Sequence, residues 1–394
     1  MANKMPKPVN KNVGPILLLG TQMALAGAQE VLLTQGRWFH NQGYKVVAVF
    51  FYDKQELHQG WQQAYDFPII NLKAWKLGGG IRNLGRLMGG LSRLCMLMLR
   101  GKFTTIETFT PHSNLLGIPL AWLMRIPVRV ATHHGALRSD PAWLPILHRW
   151  VINSGMASKL IAVSAKVKKW AAEVEKTDIE RIQVITNGIE LRLEDLGEET
   201  IGGIRDEMGM EAGGLLIFTA GRLSVQKGHC YLLEAIPAVL ARYPKTKFAI
   251  AGEGELREEL EGQIEALDIS GAVKLLGNRT DIQAWLQAAD IFVLSSLWEG
   301  LAISLLEAMA AKLPAVVTAV EGVEEVMKDQ ENGLIVPIKD SQALAEGMIE
   351  LIADEEKRRI FGEKANRVVE RWYNAAIMCE QYEGTFIELL NTKK

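Results

Sequence analysis

Residues 288–311, A-A-D-I-F-V-L-S-S-L-W-E-G-L-A-I-S-L-L-E-A-M-A-A, hold the local pattern that narrows the fold most. Residues 291–294 are a continuous apolar run ending in small polar residues, the signature of a strand buried on both faces of a parallel sheet. From Ile303 onward the residues are strong helix formers, with apolar positions three and four apart. Trp298, Glu299, Gly300, Leu301 and Ala302 therefore form a turn at the carboxyl end of a strand, opening a helix. In an open α/β sheet ligands bind at such ends. The free N–H groups and positive dipole end of the helix favour an anion, above all a phosphate. Glu299 in the turn and Glu307 one turn into the helix add two carboxylates. Carboxylates repel phosphate, so their matching targets are hydroxyl groups of a ribose or a sugar. The plainer alternative, an acidic first turn on an ordinary helix, stays open on this stretch alone.

The same strand–helix logic recurs along the chain. Apolar strands are expected at residues 15–20, 46–51, 106–109, 128–132, 160–164 and 184–188, and again at 215–220, 247–252, 273–276, 291–294, 314–318 and 333–336. Helix-period segments alternate with them, including 30–41 and 358–390. The first strand–loop–helix unit lacks the G-x-G-x-x-G fingerprint, which argues against a bound dinucleotide. Residues 187–214 turn glycine-rich and acidic and read as an interdomain connection. Three organisational segments follow: 1–190, 191–370, and a C-terminal helix over 371–394. The expected fold class is α/β, two Rossmann-like parallel-sheet domains facing across a cleft.

Charge divides the two halves. Residues 1–190 carry 23 Lys and Arg against 11 Asp and Glu, a formal +12, whereas 191–394 carry 21 against 35, a formal −14. The basic half is suited to an anionic partner. Residues 67–106 contain no acid and seven bases, Lys73, Lys76, Arg82, Arg86, Arg93, Arg100 and Lys102. On a helix, Arg82, Arg86, Arg93 and Arg100 share a stripe roughly 40° wide. Leu84, Met88, Leu91, Cys95 and Met98 fall opposite. Two readings follow: a surface helix with that apolar side in the core, or a basic amphipathic helix lying on an anionic membrane through residues 73–102. Cys95, Cys230 and Cys379 stand far apart with no C-x-x-C pair, as in a reducing compartment. Residues 1–12 hold no hydrophobic leader and no stretch has membrane-spanning length, so a cytoplasmic setting is expected, with peripheral attachment at the inner membrane face under the second reading.

Ordered motifs add specificity that no one stretch supplies. The spacing Glu299-x7-Glu307 inside E-G-L-A-I-S-L-L-E-A-M-A resembles the donor-site signature of retaining nucleotide-sugar glycosyltransferases of the GT-B fold, family 4 (group 1). The resemblance continues through A-T-H-H-G (131–135), V-I-T-N-G-I (184–189), T-A-G-R-L-S-V-Q-K-G (219–228) and I-A-G-E-G-E-L (250–256). It implies a hexosyltransferase (EC 2.4) acting with retention on a UDP- or GDP-sugar co-substrate, with no other cofactor, and a hydroxyl acceptor such as a lipid-linked glycan precursor. No nucleic-acid partner is implied.

Residue by residue, the resemblance assigns the diphosphate to Arg222 and Lys227 and to the backbone of Gly300, Leu301, Ala302 and Ile303. Glu307 would take the ribose, Glu299 the sugar, and the backbone at Asn278 and Arg279 the nucleobase. His134 would stand near the anomeric carbon, and Gly27 near the phosphates and acceptor. Independently, an arginine and a lysine five residues apart suit a diphosphate held without metal, and the chain has no D-x-D motif. Gly27-Ala28 replaces the usual glycine pair, while Lys312-Leu313-Pro314 and Glu321-Gly322 depart from Gly-x-Pro and Gly-Gly. Gly254 and Glu255 read as a turn. Other classes stay open: a GT-B nucleotide-sugar epimerase, transfer to a soluble small molecule, and a non-catalytic binding subunit.

Overall fold

The central strands of each sheet are short runs buried along most of their length, as a parallel sheet between two helix layers requires, while the edge strands are buried only in part. The computed structural model describes residues 13–25, 27–135, 143–191, 196–320 and 322–392; residues 1–12 and Glu321, discussed above, lie outside them. Two units emerge, residues 1–188 with 375–394, and residues 189–374.

The first unit carries seven strands: β1 (Ile16–Met23), β2 (Val46–Asp53), β3 (Ile69–Asn71), β4 (Thr105–Thr108), β5 (Val128–His133), β6 (Lys159–Ala162) and β7 (Ile182–Val184). Their order is β3-β2-β1-β4-β5-β6-β7, all parallel, with Leu17 opposite Val47 and Ile106. The second unit carries β8 (Leu216–Ala220), β9 (Lys247–Ala251), β10 (Val273–Gly277), β11 (Ile291–Leu294), β12 (Ala315–Thr318) and β13 (Leu334–Val336). Their order is β10-β9-β8-β11-β12-β13, again parallel. In each sheet the order reverses once, between β1 and β4 and between β8 and β11. Ligand crevices of doubly wound folds open at such reversals.

Several sequence expectations need correction. The strand expected at 184–188 lies at Ile182–Val184, and β3 was not foreseen. The glycine-rich, acidic connection contains a helix, Gly197–Glu207, whose Ile204 is buried. Residues 358–390 form two helices, Glu355–Trp372 and Ala375–Asn391. The second belongs to the first unit, where Phe386 stacks on Phe39 at 5.6 Å and Tyr44 donates to Glu383.

The helix Arg82–Gly101 meets the core on a face rotated from the one its apolar spacing suggested: Met98 of that stripe is buried and Leu91 packs against the core, but Leu84 and Met88 do not. Asn83, Gly90, Leu94 and Met98 are buried. Leu84 and Met88 are 66% and 60% exposed, and Ile81 just before the helix is 91% exposed. Gly90 is the reason: a Cβ there would stand 2.3 Å from the Ala74 methyl, so the absent side chain lets the helix settle against that segment. No described helix is long and apolar enough to cross a membrane.

This packing fixes the sign of two substitutions. Gly90→Ala gains about 1 kcal/mol of helix propensity but overpacks Ala74, which costs about 1–3 kcal/mol. Its urea midpoint is expected to fall, whereas Leu84→Ala on the exposed face should stay within about 0.5 kcal/mol of wild type. The reverse ranking would mean that Leu84, not Gly90, faces the core.

Candidate functional site

In the second unit the two loops flanking the sheet reversal are locked together. After β8 the chain passes Arg222 into a short 3-10 turn, Val225–Lys227, then Gly228 and the helix His229–Arg242. Gly228 has φ +57°, and a Cβ on it would meet the Ser295 carbonyl oxygen at 2.3 Å, so only glycine lets the loops approach this closely. The Ser295 hydroxyl donates to the Lys227 carbonyl at 3.0 Å, and the Leu297 amide to the Gln226 carbonyl at 2.7 Å.

This scaffold brings Lys227 and Glu299 together. Lys227 Nζ donates to Glu299 Oε1 at 2.6 Å, with side chains only 16% and 8% exposed. Ser296 Oγ donates to the same oxygen at 2.8 Å, and Gln226 Nε2 to the other at 3.4 Å. The carboxylate thus has three donors facing it, a condition for burying it. Arg222 has a different status. Its guanidinium pairs with Glu255 at 2.9 Å while both side chains stay more than half exposed. Such a surface pair contributes about 0–1 kcal/mol and opens readily. Glu255, read from sequence as part of a turn, is therefore a counterion, and Ser296 and Gln226 support Glu299; none of the three carried a sequence signal.

The helix Ile303–Ala310 begins behind Glu299. Its N-cap, Ala302, offers no side-chain cap, so the leading amides keep donors that the helix cannot use. Gly300, Leu301 and Ile303 lie in this approach, Ser304 Oγ is buried without a partner, and Glu307 sits half-buried in the helix. Beyond β10, Asn278 is exposed. Arg279 is bidentate on Asp281 and lies 5.5 Å over Trp285, so its side chain is committed to shaping the loop.

In the first unit Gly27 opens the helix Gly27–Asn41, earlier than the position 30 expected, and is exposed. His134 follows β5. Its Nε2 lies 3.0 Å from Thr132 Oγ1, and its ring stacks on Phe109 at 6.1 Å. His134 is only half-buried by area, yet the protein around the ring pushes its pKa down to about 3; burial contributes most and neighbouring His133 adds to it.

Behind it lies a buried cluster that sequence reasoning missed, its members being up to 42 residues apart. His133 Nε2 contacts both Glu175 oxygens at 3.0 Å, and His148 Nδ1 is 3.8 Å from Glu175 Oε2. Burial alone would raise Glu175, but the hydrogen bonds from His133, with His148 Nδ1 facing the carboxylate at 3.8 Å, hold its pKa at about 2. These three groups lie within 4.8 Å of one another, close enough for a cation. Asn114 argues against one: its Nδ2 donates to the Thr132 carbonyl and lies 2.9 Å from His148 Nε2. That nitrogen therefore accepts, the proton sits on Nδ1 facing the carboxylate, and no lone pair is left there for a metal.

Comparison with known proteins adds independent findings. The family model described as Glycosyltransferase Family 4 matches residues 25–193, and Glycosyl transferases group 1 matches 204–368. An uncharacterized glycosyltransferase of Methanocaldococcus jannaschii is 31% identical over 265 residues, covering 64% of this chain and 67% of that protein. The Escherichia coli UDP-Gal:alpha-D-GlcNAc-diphosphoundecaprenol alpha-1,3-galactosyltransferase is 25% identical over 314 residues, 78% of this chain and 81% of that one. Among solved structures, Anabaena HepE in complex with UDP-glucose superposes with a TM-score of 0.83 at 21% identity, over 95% of this chain and 99% of that one, a likeness of fold.

The buried cluster makes a stability prediction. Glu175 has a folded pKa of about 2, below its ordinary value near 4.3. Its contribution is present above about pH 4.3 and is lost as pH falls towards 2, about 3 kcal/mol in all. His134 and His148, whose pKa values are lowered, act in the same direction, so the variant difference is the readout. Urea unfolding of Glu175→Gln is expected to show lower stability at neutral pH and a gap to wild type that narrows between pH 4.3 and 2. A gap independent of pH would remove the charged pairing.

Proposed function

The chain belongs to glycosyltransferase family 4, and on that premise we propose that it transfers a hexose, with retention and without a metal, from a UDP- or GDP-sugar to a hydroxyl of a lipid-linked saccharide. The observation that carries the reading is the buried Lys227–Glu299 pair at the sheet reversal, beside an uncapped helix start. Cleavage of the anomeric bond places positive charge on the sugar ring and negative charge on the departing diphosphate. Arg222, Lys227 and the amides of Gly300–Ile303 meet that negative charge, each well-placed donor contributing about 3 kcal/mol. Glu299 accepts from sugar hydroxyls and Glu307 from the ribose. The backbone at Asn278 and Arg279 receives the base, and Gly27 leaves room beside the phosphates. His134 stands at the anomeric centre. The E. coli relative, named for a UDP-Gal donor and a diphosphoundecaprenol-linked acceptor, supports the substrate classes.

A lipid-linked acceptor gives the helix Arg82–Gly101 a purpose. Its exposed face presents Leu84, Met88 and Leu99, with Trp75, Leu77 and Ile81 just before it. Arg82 and Arg100 lie exposed along its flank, while Arg93 also donates to the Leu72 carbonyl. An apolar face beside exposed cations fits the headgroup region of an anionic bilayer at the inner membrane face.

Arg222→Ala is the cleanest test of the chemistry, because its surface pair matters little to folding. At saturating donor, kcat is expected to fall by about 10²–10³-fold with an unchanged unfolding midpoint; a wild-type kcat would remove the diphosphate role. For docking, vesicle co-sedimentation is expected to favour anionic over neutral lipid and to weaken as salt rises. Both Arg82→Glu/Arg100→Glu and Leu84→Asp/Met88→Asp should reduce it, and binding indifferent to both pairs would return this face to solvent.

A further inference from the structure

The Thr132 hydroxyl has one proton, and two neighbours compete for it. It donates to the Thr108 carbonyl at 2.9 Å, an atom that can only accept. It also lies 3.0 Å from His134 Nε2. With its proton already given to Thr108, the hydroxyl oxygen meets that nitrogen as an acceptor, and Nε2 must carry the hydrogen. Little freedom remains to reverse this. Thr132 is 0% exposed, and Asn114 Nδ2 holds its carbonyl at 3.0 Å. Phe109 lies against the His134 ring at an interplanar angle of 26°. Among the described residues Nδ1 has no partner.

We propose that Thr132 is a positioning residue that fixes His134 as the Nε2-protonated imidazole, so that Nδ1 presents a bare lone pair to a hydroxyl of the transferred sugar or of the acceptor. The inference rests on the glycosyltransfer reading and narrows it. A lone pair at Nδ1 accepts from a hydroxyl but cannot donate to a phosphate oxygen, so His134 recognises the carbohydrate and leaves the diphosphate to the second unit. The lowered pKa of His134 agrees, since a neutral ring is required for Nδ1 to accept. Thr132 performs this without touching substrate, through one hydroxyl.

The test reads the tautomer directly. In ¹⁵N-histidine-labelled, ligand-free protein at pH 7, two-bond proton–nitrogen correlations distinguish the two neutral forms. His134→Gln identifies its signals among seven histidines. Wild type is expected to show His134 protonated at Nε2. Thr132→Val, similar in shape but without the hydroxyl, should shift the ring to a mixture or to the Nδ1 form, while Thr132→Ser retains the wild-type pattern. In turnover assays Thr132→Val should lower kcat at least tenfold with donor affinity unchanged, and Thr132→Ser should restore it. An Nδ1-protonated ring in wild type, or the same pattern in Thr132→Val, overturns the proposal. A shifted tautomer with unchanged kcat overturns its functional half. Should Thr132→Val fail to fold, the wild-type and Thr132→Ser spectra still decide. Since the spectra need no substrate, an enzyme that transfers no sugar yet shows the Nε2 form would discard the activity reading alone.

Discussion

Because all paired strands are parallel, every strand of a sheet ends at the same edge, and the chain must leave there through a loop into a helix. Where the winding direction reverses, two such loops leave adjacent strands without a crossing helix between them. In the second sheet that point lies between β8 and β11. The loops carrying Lys227 and Glu299 are neighbours for this reason, although 72 residues separate them. Gly228 then sets how closely they approach, and Ser295, Ser296 and Gln226 set how the charges are held.

The first sheet reverses between β1 and β4, and the same logic operates there with uncharged groups. The hydroxyls of Thr21 and Thr110 meet beside the reversal. One strand further along, β5 delivers His134 beside a fully buried network of Asn114, His133, His148 and Glu175. The two units thus prepare different environments at the carboxyl ends of their strands. One offers an exposed arginine and a largely buried ion pair; the other offers an imidazole whose pKa is lowered, backed by internal hydrogen bonds.

How much of this was readable from sequence depends on range. Residues 291–294 identified a parallel strand because burial on both faces leaves a continuous apolar run. Arg222, Lys227, Glu299 and His134 stood out as candidates because their order and spacing resemble those of a known family. The exposed face of the helix Arg82–Gly101 was not readable: two apolar stripes fit the helical period, and the choice rests on the contact between Gly90 and Ala74. The helix Gly197–Glu207 was hidden by poor helix formers, Gly202 and Gly203, which tertiary packing of Ile204 overrides. The pairings of Glu255 and Glu175 were not readable because their partners, Arg222 and His133, are distant in sequence.

Under the proposed reading, the Lys227–Glu299 pair would also discriminate among anions before transfer. A simple anion such as inorganic phosphate could attract Lys227 only by loosening its hold on Glu299, a carboxylate 8% exposed. Leaving such a charge uncompensated is costly. A ligand with phosphate at one end and hydroxyl donors at the other satisfies both partners at once. On that reading the pair would work as a two-key lock, disfavouring phosphates that lack a correctly placed sugar.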